Sequence, residues 1–181
     1  MSPIVAVRPP PLPGTRGVCY GQTDWPPDLE AIAATVPRLR AELPEWPILS
    51  SPLQRCLRLA SRVLTPRHGA LAVDDRLMEM DHGDWEGRCW TDLDPTLLRA
   101  WSRDVVGFRP PGGECFADLI ERVGAVVDGL TGPTIFVTHA GVIRALWHLV
   151  AGWPARQAAV EPVPHGLPIP IRRPRQRARR A

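Results

Sequence analysis

Short apolar runs alternate with amphipathic stretches along this chain, starting at its first residues. Ile4, Val5, Ala6 and Val7 are continuously apolar and lead to Arg8, the pattern of a buried strand leaving a sheet. A loop rich in proline and glycine runs through Asp24. Leu29, Ile32, Ala33, Val36, Leu39 and Leu43 then recur on one helical face, with Pro37 expected to break or kink that helix. A short strand ending near Leu49 follows, then a helix over 53–64 with Ser50 or Ser51 as its cap. Residues 70–73 read as a third strand, 97–104 as helical material, and the run from Cys115 as another helix. The sharpest transition is "TIFVTHAG": β-branched and apolar over 134–138, helical from Ala140 to Val150. Weaker extended runs flank "VPHG" at 163–166. Strands alternating with helices predict an α/β domain, three layers α/β/α around a mostly parallel central sheet.

The composition adds one domain and one tail. A chain of 181 residues, 44% hydrophobic and 23% charged, can bury a full core, and a single domain is expected over 1–171. Every basic residue is arginine, and six arginines crowd into residues 172–181. Without those six the formal net charge passes from +3 to −3, so the basic character belongs to the tail. Such a segment cannot bury apolar surface and is expected to be disordered. Nucleic acid is therefore expected only as a weak partner, through the tail.

Cys19, Cys56, Cys89 and Cys115 form no CxxC pair and show no metal-ligand spacing with histidine, which implies free thiols, a reducing compartment and no metal. The chain has no apolar run of membrane-spanning length and no charged-then-apolar leader, so a cytoplasmic location without membrane contact is expected. Trp147 and Trp153 fit core packing better than the interface of a homodimer, a reading that stays open.

Four polar side chains fall at predicted strand ends or at the helix starts that follow: Arg8, Arg55, Glu79 and His139. In an open α/β sheet, ligands bind in the crevice at the carboxyl ends of the strands. Arginine forks match phosphate oxygens in pairs. The helix opening at Ala140 would offer backbone N–H groups to the same anion. Glu79 could give a proton to a leaving oxygen. Each residue alone also reads as a solvated charge or a strand-end histidine; their coincidence points to a phosphate pocket that needs no cofactor.

These residues also carry a resemblance. "SSPLQRC", "RLMEMDHGDWEG", "PPGGECFADLIERV" and "VTHAGVIRAL" occur in the order and spacing of the histidine phosphatase superfamily, also called phosphoglycerate mutase-like. "GVCYGQTDW" resembles most its α-ribazole phosphatase branch, which acts late in cobalamin synthesis. The resemblance covers about residues 4–170 and implies the phosphoglycerate mutase-like fold. In that family an Arg-His pair ends the first strand, and the histidine takes the phosphoryl group. The resemblance assigns phosphate binding to Arg8, Arg55 and His139, assistance at the phosphoryl oxygens to His139, and proton donation to Glu79. Pro9 stands where the nucleophilic histidine belongs. Proline has no side-chain lone pair, yet it is compatible with an extended Arg8, so a pocket can persist without the covalent step.

None of the five histidines, His68, His82, His139, His148 and His165, lies in the first strand or its loop. His82, three residues after Glu79, is the one substitute nucleophile near the site in sequence, although the family usually packs a side chain there. His148 and His165 read as helix and strand-end structure, and His68 as a loop residue. Three functions follow. The first is a phosphomonoesterase of the α-ribazole type, slowed by the missing nucleophile. The second is a pseudophosphatase that binds a phosphorylated small molecule or a partner protein. In the third, the arginine tail acts as an electrostatic anchor.

Overall fold

β1 (Ile4–Val7), β2 (Ile48–Ser50), β3 (Leu71–Val73), β4 (Thr134–Val137) and β5 (Pro168–Ile171) form one sheet in the order β3-β2-β4-β1-β5. This computed structural model describes residues 2–172, so the expectation of a disordered tail lies, Arg172 apart, outside the described residues. The first four strands are parallel, and β5 runs antiparallel to β1 with Val7 opposite Pro168 and Val5 opposite Pro170. Prolines at alternate positions put both missing N–H groups on one side, and only an edge strand tolerates that. β1 and β4 lie inside the sheet and are buried along their whole length, which is why both read as unbroken apolar runs.

Helices cover both faces, giving the expected three layers. α1 (Leu29–Glu42) and α2 (Gln54–Val63) pack Ile32, Val36, Leu39 and Leu59 against Val5, Val7, Ile135 and Val137. α4 (Phe116–Asp128) and α5 (Ala140–Leu149) pack Leu119, Val123, Val142 and Leu146 against Ile4, Ala6 and Phe136. The alternation within one strand, Ile4 and Ala6 to one side and Val5 and Val7 to the other, follows from the period of two in β structure. α3 (Pro95–Arg103) belongs to an excursion that closes a small third cluster around Trp85 and Leu93, with Trp90, Trp101 and Phe108 packed on it. α6 (Ala155–Val160) packs against α5 and leads into β5. No helix among the described residues is long and apolar enough to cross a membrane.

Three local expectations change. α1 is not broken at Pro37 but runs through it. Pro37 and Ala33 are both exposed, so the carbonyl that loses its helical partner is hydrated. Neither Ser50 nor Ser51 caps α2; the Asp24 carboxylate accepts from the Gln54 N–H at 2.8 Å instead, a contact thirty residues away in sequence. His68 is buried in a 3-10 turn, not in an open loop, and its Nδ1 accepts from the Thr65 N–H at 3.1 Å.

The passage of α1 through Pro37 has a measurable cost. Pro37→Ala restores one exposed helical hydrogen bond and should raise stability by about 1–2 kcal/mol, part of the proline's helix penalty being offset by its stiffening of the unfolded chain. Urea unfolding checks this; unchanged or lower stability would contradict the continuous helix.

Candidate active site

The carboxyl ends of β1, β4 and β2 lie side by side, and backbone bonds extend the pairing just beyond them. The Thr138 N–H donates to the Val7 carbonyl at 2.9 Å, and the Ser51 N–H donates to that of Val137 at 3.0 Å. Arg8, Ser51 and His139 are therefore neighbours on one rim. The Thr138 hydroxyl donates to the Leu77 carbonyl at 2.8 Å and ties the loop after β3, with Glu79, to the same rim.

Arg55 lies at the start of α2 and is only 4% exposed. Its Nε–H donates to Nδ1 of His139 at 3.2 Å, Nη1 to the Thr23 carbonyl at 3.0 Å, and Nη2 to the Gly21 carbonyl. The guanidinium carbon also stands 5.6 Å from the centre of the Tyr20 ring. Because Nδ1 of His139 accepts, the proton of the neutral ring is on Nε2, which donates to the Ser51 hydroxyl at 2.8 Å. Burial first, and then the Arg55, Arg8 and Arg122 charges, hold the His139 imidazole well below its usual range. It is neutral at pH 7.

The carbonyls that hold Arg55 are themselves held. Burial alone would raise the Glu86 carboxyl, but it accepts from the Gly21, Gln22, Thr23 and His82 backbone N–H groups and from the Thr23 hydroxyl, and these bonds bring it below the usual carboxylate range. Glu79 is fixed from two sides. Its carboxylate accepts from the Gly141 N–H at 2.9 Å and the Met80 N–H at 3.0 Å. Its own carbonyl, with those of Arg76 and Met78, accepts from Arg122, which also pairs with Glu114. A Cβ on Gly141 would collide with a Glu79 carboxylate oxygen, so only glycine allows this approach.

Arg8, Pro9, Arg55, Glu79 and His139 border one small cavity of about 30 Å³, together with Tyr20 and His165. A larger cavity of about 520 Å³ shares Arg8, Tyr20 and Glu79 as a common wall and is otherwise lined by side chains such as Trp90, Trp101, Met80 and Phe116. Ala140 borders the larger cavity and not the small one, and the first amide of α5 with a side-chain partner is that of Gly141, given to Glu79. His82 faces the larger cavity, edge-on to Trp90 and Trp101 at 6.0 and 6.4 Å, a packed aromatic position. Nδ1 of His148 donates to the Trp153 carbonyl at 2.8 Å, and Trp147 stacks on Trp153.

Two residues here escaped the sequence reading. Arg144 lines the larger cavity one turn into α5, where a helical arginine gives no sign of its direction. His165, read as strand-end structure, sits in the turn before β5 and comes to the site only through the β1–β5 pairing. Its one signal was "VPHG", a turn placed directly before a strand. Arg8, Arg55 and Arg144 take part in none of the ion pairs among the described residues. Burial lowers Arg8 and Arg144 from the usual arginine value, partly opposed by the Glu79 charge. Those residues include no group of three or more histidine, cysteine or acidic side chains able to hold a metal. The arrangement offers guanidinium N–H donors, an imidazole and one carboxylate around one small cavity.

The neutral state of His139 makes stability depend on pH. Unfolded, this histidine titrates near about 6.5 and takes up a proton that the folded chain excludes. Its contribution is therefore full above that pH and is lost as pH falls, by up to about 1.4 kcal/mol per pH unit. His139→Gln should flatten urea-derived stability between about pH 7.5 and 5.5 by one group's share. An unchanged slope would contradict a buried neutral ring.

The chain matches the Histidine phosphatase superfamily (branch 1) over residues 16–166. It is 31% identical over 122 residues to glucosyl-3-phosphoglycerate phosphatase of Mycolicibacterium vanbaalenii, covering 59% of this chain and 54% of that one. It is 32% identical over 116 residues to adenosylcobalamin/alpha-ribazole phosphatase of Escherichia coli, covering 60% and 57%. The curated relatives it matches are longer proteins, of which it spans between 30% and 57%. The crystal structure of phosphoglycerate mutase from Thermus thermophilus superposes with a TM-score of 0.77 at 32% identity, over 94% of this chain and 95% of that one. The sheet and its covering helices are thus phosphoglycerate mutase-like, and the chain belongs to the histidine phosphatase superfamily.

Proposed function

We propose that this protein binds a phosphate monoester, with the phosphoryl group in the small cavity among Arg8, Arg55 and His139 and the esterified group in the larger one. The observation that carries this reading is the set of three partly or fully buried guanidiniums, Arg8, Arg55 and Arg144, that pair with no carboxylate among the described residues. A buried charge left unpaired is costly, and a bound anion relieves that cost. Arginine forks suit a tetrahedral dianion because each presents paired N–H donors.

The activity supported is phosphomonoester hydrolysis of the α-ribazole type. The larger cavity favours that type over the glucosyl-3-phosphoglycerate type. Trp90, Trp101, His82 and Phe116 offer ring faces and edges to a flat azole, whereas a sugar ester needs a dense set of hydrogen-bonding partners. Glu79, on the wall common to both cavities, stands where a leaving oxygen would emerge and acts as its proton donor. Pro9 occupies the position of the family's nucleophile and cannot attack phosphorus. A second reading, binding without turnover, rests on that residue alone.

Calorimetry against inorganic phosphate and vanadate tests the pocket. Binding should be measurable for the natural chain and weakened about tenfold to a hundredfold in Arg55→Ala, the loss of a charge-assisted pair. Hydrolysis of α-ribazole phosphate should exceed that of glucosyl-3-phosphoglycerate. Absence of binding at high phosphate would defeat the reading, and binding with no hydrolysis of either ester would leave the binding-only function.

A further inference from the structure

We propose that His165 supplies the attacking imidazole that β1 lacks, its Nε2 taking the phosphoryl group in the cavity beside Pro9. The inference rests on the phosphate-pocket reading above. Three bonds fasten the turn at 163–166 to the end of β1. The Gly166 N–H donates to the Arg8 carbonyl at 2.8 Å, Nη1 of Arg8 donates to the Val163 carbonyl at 2.9 Å, and Nδ1 of His165 lies 2.6 Å from the Pro9 carbonyl. A carbonyl oxygen only accepts, so Nδ1 carries the ring proton and Nε2 the lone pair. Nε2 has no hydrogen-bond partner and is not enclosed among the described residues, and His165 lines the same cavity as Arg8, Arg55, Glu79 and His139.

The other nucleophiles near the site are spent. Both nitrogens of His139 are engaged, Nδ1 with Arg55 and Nε2 with Ser51. Cys56, with Sγ 3.4 Å from Nε2 of His139, is fully buried, and burial pushes its thiol far above the range in which thiolate forms. His82 lines the larger cavity and not the small one, edge-on to the stacked Trp90 and Trp101, with its Nδ1 buried and unpartnered there. Of the two imidazoles on the small cavity, His139 and His165, only His165 keeps an unengaged ring nitrogen among the described residues, and its tautomer is fixed.

Nε2 of His165 forms the N–P bond as the P–O ester bond breaks, and the leaving oxygen takes the proton of the Glu79 carboxyl. Water then attacks phosphorus and passes a proton to the Glu79 carboxylate. The N–P bond breaks, the lone pair returns to Nε2, and inorganic phosphate leaves.

The test uses the full chain, with phosphoramidate as phosphoryl donor and p-nitrophenyl phosphate as substrate. Products are mapped by mass spectrometry under alkaline conditions that preserve phosphohistidine. Phosphate titration by calorimetry runs alongside. The natural chain should carry an acid-labile phosphoryl group on His165. His165→Asn, which keeps a donor for the Pro9 carbonyl, and His165→Gln should both lose the label and lower turnover at least about a hundredfold. Phosphate affinity in both variants should stay within about threefold, because the arginines are untouched. A label on another residue, turnover surviving in both variants, or phosphate binding with neither label nor turnover would overturn the proposal. Failure of the natural chain to bind phosphate would overturn the pocket reading instead, and this inference with it.

Discussion

A guanidinium without a counter-charge, buried at the carboxyl end of a parallel sheet, is the constraint around which this site is organised. Arg55 gives its donors to two backbone carbonyls and one imidazole, none of them charged. Neutral acceptors satisfy its hydrogen bonds but not its charge. Everything adjacent answers to that. Glu86 gathers the N–H groups of residues 21–23 so that the carbonyls of Gly21 and Thr23 point at Arg55. His139 is kept neutral by its burial first and then by the Arg55 charge, whose Nε lies 3.2 Å from its ring. Arg8 stands on the same cavity and adds to the same field. The cavity that results sets two guanidiniums and a neutral imidazole against a single carboxylate, that of Glu79, and it is this socket that we propose takes an anion.

The elements around this socket were legible where one physical signal dominated. β1 and β4 are buried on both faces, so their apolar runs admit only one interpretation, and the residues that follow them, Arg8 and His139, were placed by that alone. Arg55 and Glu79 followed from the same strand-end logic. The signals failed where a distant contact decided the outcome. Pro37 forbids one helical bond, but its exposure makes the loss tolerable and packing of Val36 and Leu39 keeps the helix. The cap of α2 comes from Asp24, not from the adjacent serines, because Ser51 is committed to His139. His165 was invisible as a site residue. Its place depends on an antiparallel edge strand whose partner lies more than 150 residues earlier, and nothing local in "VPHG" encodes that pairing.

The edge strand also explains how a chemical role can move between elements. A side chain reaches the cavity either from the end of β1 or from the turn that enters β5, since the two segments are bonded to each other. Proline at position 9 offers no attacking atom from the first route, while its carbonyl accepts from the His165 ring that we propose takes the second. One backbone oxygen thereby fixes the tautomer of His165. The larger aromatic cavity is lined by neither Pro9 nor His165, so in the proposed reading the choice of ester and the choice of attacking group are separable.

The most direct measurement is a crystal structure of the natural chain grown with vanadate, which adopts the geometry of a transferring phosphoryl group. The account predicts vanadate in the small cavity, with oxygens bonded to Arg8 and Arg55 and vanadium bonded to Nε2 of His165 opposite the Glu79 side. Vanadate in that cavity without His165 on its axis would leave the anion socket standing and contradict the displaced nucleophile. An empty cavity at saturating vanadate would contradict the socket itself.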